Sequence, residues 1–96
     1  MAKLIFSAAA ESDYFESLTW SAERSVDAAN DFDAEFDRAL ALIASDPERF
    51  PLCDVRHRYF LLRRFPFRIL YRMIHDDVVV IAVAHSARSP EYWADR

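Results

Sequence analysis

Glycine is missing from all 96 residues, where ordinary usage would supply about seven. Its absence excludes a Gly-rich phosphate cradle and the dinucleotide fingerprint. Turns must be built from Asp, Ser, Asn and Pro instead. Cysteine occurs once, at Cys53, so no disulfide can close within the chain and a reducing, cytoplasmic setting is expected. Lysine also occurs once, at Lys3, and every other basic residue is arginine. No apolar run approaches the ~18 residues of a membrane span. The apolar opening Met1–Ala10 runs straight into Glu11 and Asp13, which fits a strand entering a helix better than a leader peptide.

What is present is a chain that is 53% apolar and 15% aromatic, the composition of a folded globule. One domain over residues 1–96 is expected, because a chain this short has no room for two cores and buries roughly 60–65% of its unfolded surface. The formal charge of −4 is unevenly spread: residues 1–55 carry 4 basic and 12 acidic side chains, residues 56–96 carry 8 arginines and 4 acids. The second half is therefore locally cationic. Arginine's planar fork suits two-pronged contact with carboxylate or phosphate. The same side chains serve equally to pair with the acidic half and to cover apolar sheet surface.

Lys3–Phe6 reads as a short strand. Ser7 then stands where a helix N-cap belongs, and Phe15, Leu18, Ala22 and Val26 recur at helical spacing, predicting a first helix over about 8–23 with that stripe turned inward. Ser25 caps a second helix whose stripe is Ala29, Phe32, Phe36, Leu40 and Ile43, with Asp31, Asp33, Glu35 and Asp37 on its other faces; Asp46-Pro47 ends it. Residues 47–55 read as a loop. Strands are predicted at Arg56–Leu62, Phe67–Ile74 and Val78–His85, the last two joined by a turn at His75-Asp76-Asp77. The order β-α-α-β-β-β predicts an α+β fold, with a helical hairpin packed on one face of a mainly antiparallel sheet.

Alternation along the long strand sends Phe67, Ile69, Tyr71 and Met73 towards the helices and Arg68, Leu70, Arg72 and Ile74 to the opposite, open face. His85 on the next strand is expected near these arginines, with Arg88 and Tyr92 just beyond. Arginines stabilise phosphodiester charge, and His or Tyr can move a proton. The same set also suits a carboxylate-rich peptide. Cys53 and His57 are four apart in a loop-to-strand region, a weak nucleophile–base signal. His57, His75 and His85 with Cys53 and Asp76 show no metal-ligand spacing, so no metal and no cofactor are expected.

The order of elements, together with Arg64-Phe65-Pro66-Phe67-Arg68-Ile69-Leu70-Tyr71-Arg72 and the ending His85-x-x-Arg88-x-Pro90-x-Tyr92-Trp93, resembles the RelE/ParE family of bacterial type II toxins. The first segment matches the family's R-F-P-[YF]-x-I-x-Y-R strand, and the ending is similar to the H-x-x-R-x-P-x-Y-W terminus common in ParE-like members. The resemblance spans essentially the whole chain and is more specific for the family than for the target. It implies a cytoplasmic toxin of the plasmid-stabilisation type, held inactive by a cognate antitoxin in a hetero-oligomer. No membrane partner and no small-molecule ligand are implied.

The two branches of the family imply different chemistry. RelE-like members cleave messenger RNA at the ribosome; ParE-like members poison DNA gyrase without known nuclease chemistry. By resemblance, Arg68, Arg88 and Tyr92 correspond to residues of the RelE-like nucleases; a metal-independent endoribonuclease would use Arg68 and Arg88 for phosphate charge, and Tyr92, or His85 from the strand reading above, for the proton. Arg58, Arg64, Arg72 and Trp93 are the candidate contacts to target or antitoxin. The segment Arg56-His57-Arg58-Tyr59-Phe60 lacks the lysines that RelE-like enzymes often carry, and the acidic balance suits ribosome binding poorly. Both points lean towards the ParE-like branch and a non-enzymatic inhibitor. An orphan, non-toxic binding protein is the remaining alternative.

Overall fold

The computed structural model describes residues 1–86 and 92–96. Seven segments follow in chain order: β1 (Leu4–Phe6), α1 (Ala8–Ala22), α2 (Val26–Ser45), a short 3-10 turn (Pro47–Arg49), β2 (Arg58–Leu61), β3 (Phe67–Ile74) and β4 (Asp77–His85). The strands form one mixed sheet in the order β1-β4-β3-β2, with β1 parallel to β4 and the other pairings antiparallel. The expected α+β architecture is the observed one. No helix among the described residues is long and apolar enough to cross a membrane.

Both predicted caps form. The Ser7 hydroxyl accepts the Ala10 N–H at 3.0 Å, and the Ser25 hydroxyl accepts that of Ala28 at 2.9 Å, each satisfying a donor that the first turn leaves open. The strand β2 starts two residues later than expected. The Asp54 carboxylate accepts the N–H groups of Arg56 and His57 at 2.9 and 2.7 Å, a local turn that competes with strand pairing. In the glycine-free β3–β4 turn it is His75 that takes the left-handed conformation, at φ 56°. Histidine tolerates that region better than bulky or branched residues do.

The helix α2 buries Phe32, Phe36, Ala39 and Ile43 against Phe67, Ile69, Tyr71, Val78, Val80 and Val83 of the sheet. This is the stripe expected from sequence. Glu35 is not on a solvent face, however. It is buried, and its carboxylate accepts the backbone N–H of Arg63 at 2.8 Å, tying α2 to the turn that precedes β3. Tyr71 reaches through the same layer to donate to the Pro47 carbonyl at 2.5 Å. Burial pushes its phenol up to about 12, so it remains a donor at neutral pH.

The expected stripe of α1 is overturned. Phe15 is 57% exposed and Val26 75% exposed, Ala22 is exposed and Leu18 only half-buried. The buried face is Ala10, Asp13, Ser17 and Ser21. Small side chains let the helix lie close on β4. The two serines satisfy their hydroxyls on the carbonyls four residues back, Ser17 to Asp13 at 2.8 Å and Ser21 to Ser17 at 3.0 Å. Hydrophobic spacing alone chose the wrong face because close approach, not apolar area, governs this contact.

One irregularity decides where the functional side chains go. Leu70 pairs with Ala82, but its neighbour Tyr71 pairs with Val80, so Ile81 is an extra residue, a β-bulge. Before it, Val78 and Val80 face the helices; after it, Val83 does, while Ala82 and Ala84 join the other side. The phase of β4 is reversed across a single residue.

Candidate functional site

The face of the sheet away from the helices is built from alternate residues of β2, β3 and β4. Arg68 lies opposite Leu61 on one side and Ala84 on the other. Its guanidinium carbon is 5.7 Å from the centre of the Tyr59 ring, within cation–π range. Arg72 is on the same face, with a guanidinium nitrogen 3.4 Å from the Arg96 carbonyl oxygen. Trp93 packs over Leu70, Ile81, Ala82 and Ala84, forming a second, smaller core. The outer face is therefore capped at its centre by Trp93, while Arg68 stays half-exposed and Leu61 is 59% exposed towards the β2 end.

His57 joins this face. Its ring is fully buried and meets Trp93 edge-on, with centroids 5.2 Å apart. Nδ1 lies 2.7 Å from an Asp54 carboxylate oxygen. The N–H of Arg56 and the His57 ring hold the Asp54 carboxyl down at about 2. Among the described residues, His57 Nε2 and Trp93 Nε1 are buried without a hydrogen-bond partner.

His85 is elsewhere. It pairs directly with Phe67, and partners across an antiparallel pair share a face. Its ring sits edge-on to Phe67 at 4.9 Å and to Trp20 at 5.1 Å, on the helix side of the sheet. The expected neighbourhood of His85 and Arg68 is thus a correction. Without the bulge at Ile81, His85 would share the outer face with Arg68; with it, the side chain is turned through to the other layer.

The Tyr92 ring packs against the outer-face cluster, but its hydroxyl is held at the β4 edge. Beyond Val80, β4 has no β1 residue beside it, and side chains take over that edge. Asp13 is the centre: its carboxylate oxygen accepts the Val83 N–H at 3.1 Å and an Arg96 N–H at 2.7 Å. Arg96 also donates to the Ile81 carbonyl at 3.1 Å. The Tyr92 hydroxyl lies 3.3 Å from both Asp13 and the Val83 carbonyl. These contacts meet the backbone groups that the bulge and the short β1 leave open. Arg88 lies outside the described residues.

This order of elements has counterparts among known proteins. The family described as ParE toxin of type II toxin-antitoxin system, parDE, matches residues 4–90. The chain belongs to this toxin family. Among solved structures, "Chromosomal ParDE TA system from P. aeruginosa" is similar at 13% identity, covering 88% of this chain and 96% of that one with a TM-score of 0.75. At that identity the likeness is one of fold. No curated protein matches the sequence.

Within this ParE-family chain, all three of the expected binding arginines have internal partners, Arg72 on the Arg96 carbonyl as above. Arg58 donates to the carbonyls of Glu48 and Phe50 at 3.0 and 2.6 Å. Arg64 is 3.5 Å from Glu35 and 3.8 Å from Asp31. The Cys53 thiol lies 3.4 Å from the His57 carbonyl, so its contact is with the backbone. Burial, followed by the Asp54 charge, pushes this thiol up, away from the reactive thiolate. Among the described residues no group of three or more His, Cys, Asp or Glu converges as for a metal.

Sequence reasoning missed Asp13, Arg96 and the Asp54–His57 pair. An acid on the inward arc of α1 between alanines and serines was a usable signal for Asp13, because a buried carboxylate requires a partner. Nothing in the spacing marked Arg96. The Asp54-x-x-His57 spacing permits a local turn, but not the Trp93 cover above it.

Proposed function

We propose that this chain inhibits growth by ParE-like poisoning of DNA gyrase, is neutralised by a cognate antitoxin, and uses the outer sheet face for gripping rather than cutting. The observation that carries this reading is the separation of Arg68 from His85: one face holds the cations, His85 sits in the other layer, and the Tyr92 hydroxyl is engaged by Asp13 and the Val83 carbonyl at the β4 edge. Nuclease chemistry needs charge stabilisation and proton transfer at one reacting phosphate. Gripping needs only the cations, Tyr59 and exposed Leu61. The antitoxin is expected to bring acids to Arg68 and Arg72 and apolar groups to Leu61 and the Trp93 cap. The similar P. aeruginosa structure, named as that of a ParDE TA system, supports such a partner. Arg88 remains a proposed contact through its motif position.

The test is direct. Purified chain added to gyrase should block supercoiling or trap cleaved DNA, and Arg68→Ala should weaken the effect with folding intact. An unaffected gyrase at saturating concentration would sink this target.

A messenger RNA endoribonuclease has one specific observation in its favour. His57, oriented by Asp54, is a histidine on the same face as Arg68. Its Nε2 is covered, so that reading requires the Trp93 cap to lift. Ribosome-dependent cleavage that survives His85→Ala but not His57→Ala would favour it over gyrase poisoning.

A further inference from the structure

The outward-turned stripe of α1 leaves a surface that the outer sheet face does not use. Phe15 is 57% exposed in the middle of a helix, and it forms the wall between two grooves. One, of about 200 Å³, lies between α1 and α2. Its floor is the buried Phe36 and the half-buried Phe6, Tyr14 and Leu40, and Glu11 and Asp37 stand exposed at its rim. The other, of about 460 Å³, runs along α1 past Thr19 and Trp20 and is bordered by Glu16 and Glu23. Among the described residues, no basic side chain lines the first groove, whereas Arg24 stacks on Trp20 of the second, 3.2 Å from the ring centre.

The first groove is built rather than incidental. The Tyr14 phenol donates to Asp33 of α2, and its ring lies 4.8 Å from that of Phe36, so the two helices are pinned across the groove floor. Burial raises this phenol far above its ordinary value and keeps it a donor. The space is below the ~300–1,000 Å³ typical of small-molecule pockets and suits one or two anchoring side chains of a helix laid along the hairpin. Acids on the rim and none of the opposite charge select a cationic occupant.

We propose that the α1–α2 face is a second docking surface, taking a basic amphipathic helix of a partner protein, with an apolar anchor in the groove beside Phe15 and lysines or arginines on Glu11 and Asp37. It is separate from the outer sheet face, on the opposite side of the sheet, so its fate does not depend on the gyrase assignment.

The experiment uses the full chain and a labelled leucine–lysine peptide of helical spacing, about four turns long, with a leucine–glutamate peptide as control. The lysine peptide should bind saturably, and NMR shifts should map to α1 and α2. Phe15→Ser, at an exposed position, should weaken binding by about tenfold or more, as loss of an anchor does. The double variant Glu11→Gln, Asp37→Asn should weaken it and flatten its salt dependence; these are surface changes that leave folding intact. Equal binding of the two peptides, unchanged affinity in both variants, or shifts confined to the outer sheet face would overturn the proposal. Dimerisation of the chain that Phe15→Ser abolishes would also overturn it, by assigning the groove to a second copy.

Discussion

The two faces of the sheet are stabilised differently. On the inner face, Phe32, Phe36, Phe67 and Tyr71 interlock with β-branched residues under α2, and the rings touch in edge-on and stacked pairs. On the outer face, Leu70, Ile81, Ala82 and Ala84 are covered mainly by Trp93, from a tail fastened through Arg96. The inner face has an entire helix pair for a lid; the outer, among the described residues, has Trp93 flanked by Tyr59, Tyr92 and Ala94. Stability resides in the first; the second is the face we propose for a partner, where opening costs less.

The sharpest way to break this contrast is in the inner layer. Phe36→Ala should lower unfolding free energy by about 3–5 kcal/mol, measured by denaturant titration. An effect near zero would mean that the helix layer is not the main core. Next comes the clasp between the layers. Asp13→Ala leaves the Val83 N–H without its acceptor and removes the partner of Arg96, and should cost about 2–3 kcal/mol. Hydrogen exchange should accelerate first at Val83 and around Trp93, with the α2 core still protected; uniform acceleration would erase the distinction between the faces.

A smaller effect separates binding from stability. Arg68→Ala should change stability by less than about 0.5 kcal/mol while weakening antitoxin binding measured by calorimetry. A large stability loss would make Arg68 structural. The smallest effects are those of pH. Asp54 is lowered from 3.8 to about 2, so its contribution is present above pH 3.8 and fades as pH falls towards 2; Asp54→Asn should flatten the acid limb in that window. Tyr71 behaves oppositely. Raised from 10.0 to about 12, it favours the folded state while protonated, so stability should fall as pH rises through that interval and Tyr71→Phe should remove the slope.

Much of this architecture was legible in the residues. Ser7 and Ser25 marked the helix starts, Pro47 marked an end, and the Phe32–Phe36–Ile43 stripe identified the packed face of α2. The paired motifs pointed to the toxin family that the match over residues 4–90 establishes. The stripe of α1 was misread because serines that satisfy themselves on their own helix count as polar in a pattern but pack as small residues. The open-face position of Arg68 followed from alternation, since β3 runs without an extra residue of its own.

What local sequence determined, then, was element order, caps and the face of each regular element whose apolar pattern was unambiguous. Tertiary structure alone decided the company those residues keep. A bulge at Ile81 exists only as a mismatch between two strands, and no property of β4 in isolation announces it. Because side chains alternate with a period of two, that one extra residue moved His85 from the arginine face to the helix face. The contacts of Asp13, Tyr92 and Arg96, 79 or more positions apart from α1 to the tail, then closed the edge it exposed. Chain separation on that scale carries no local signal; only the folded geometry brings the carboxylate to the strand.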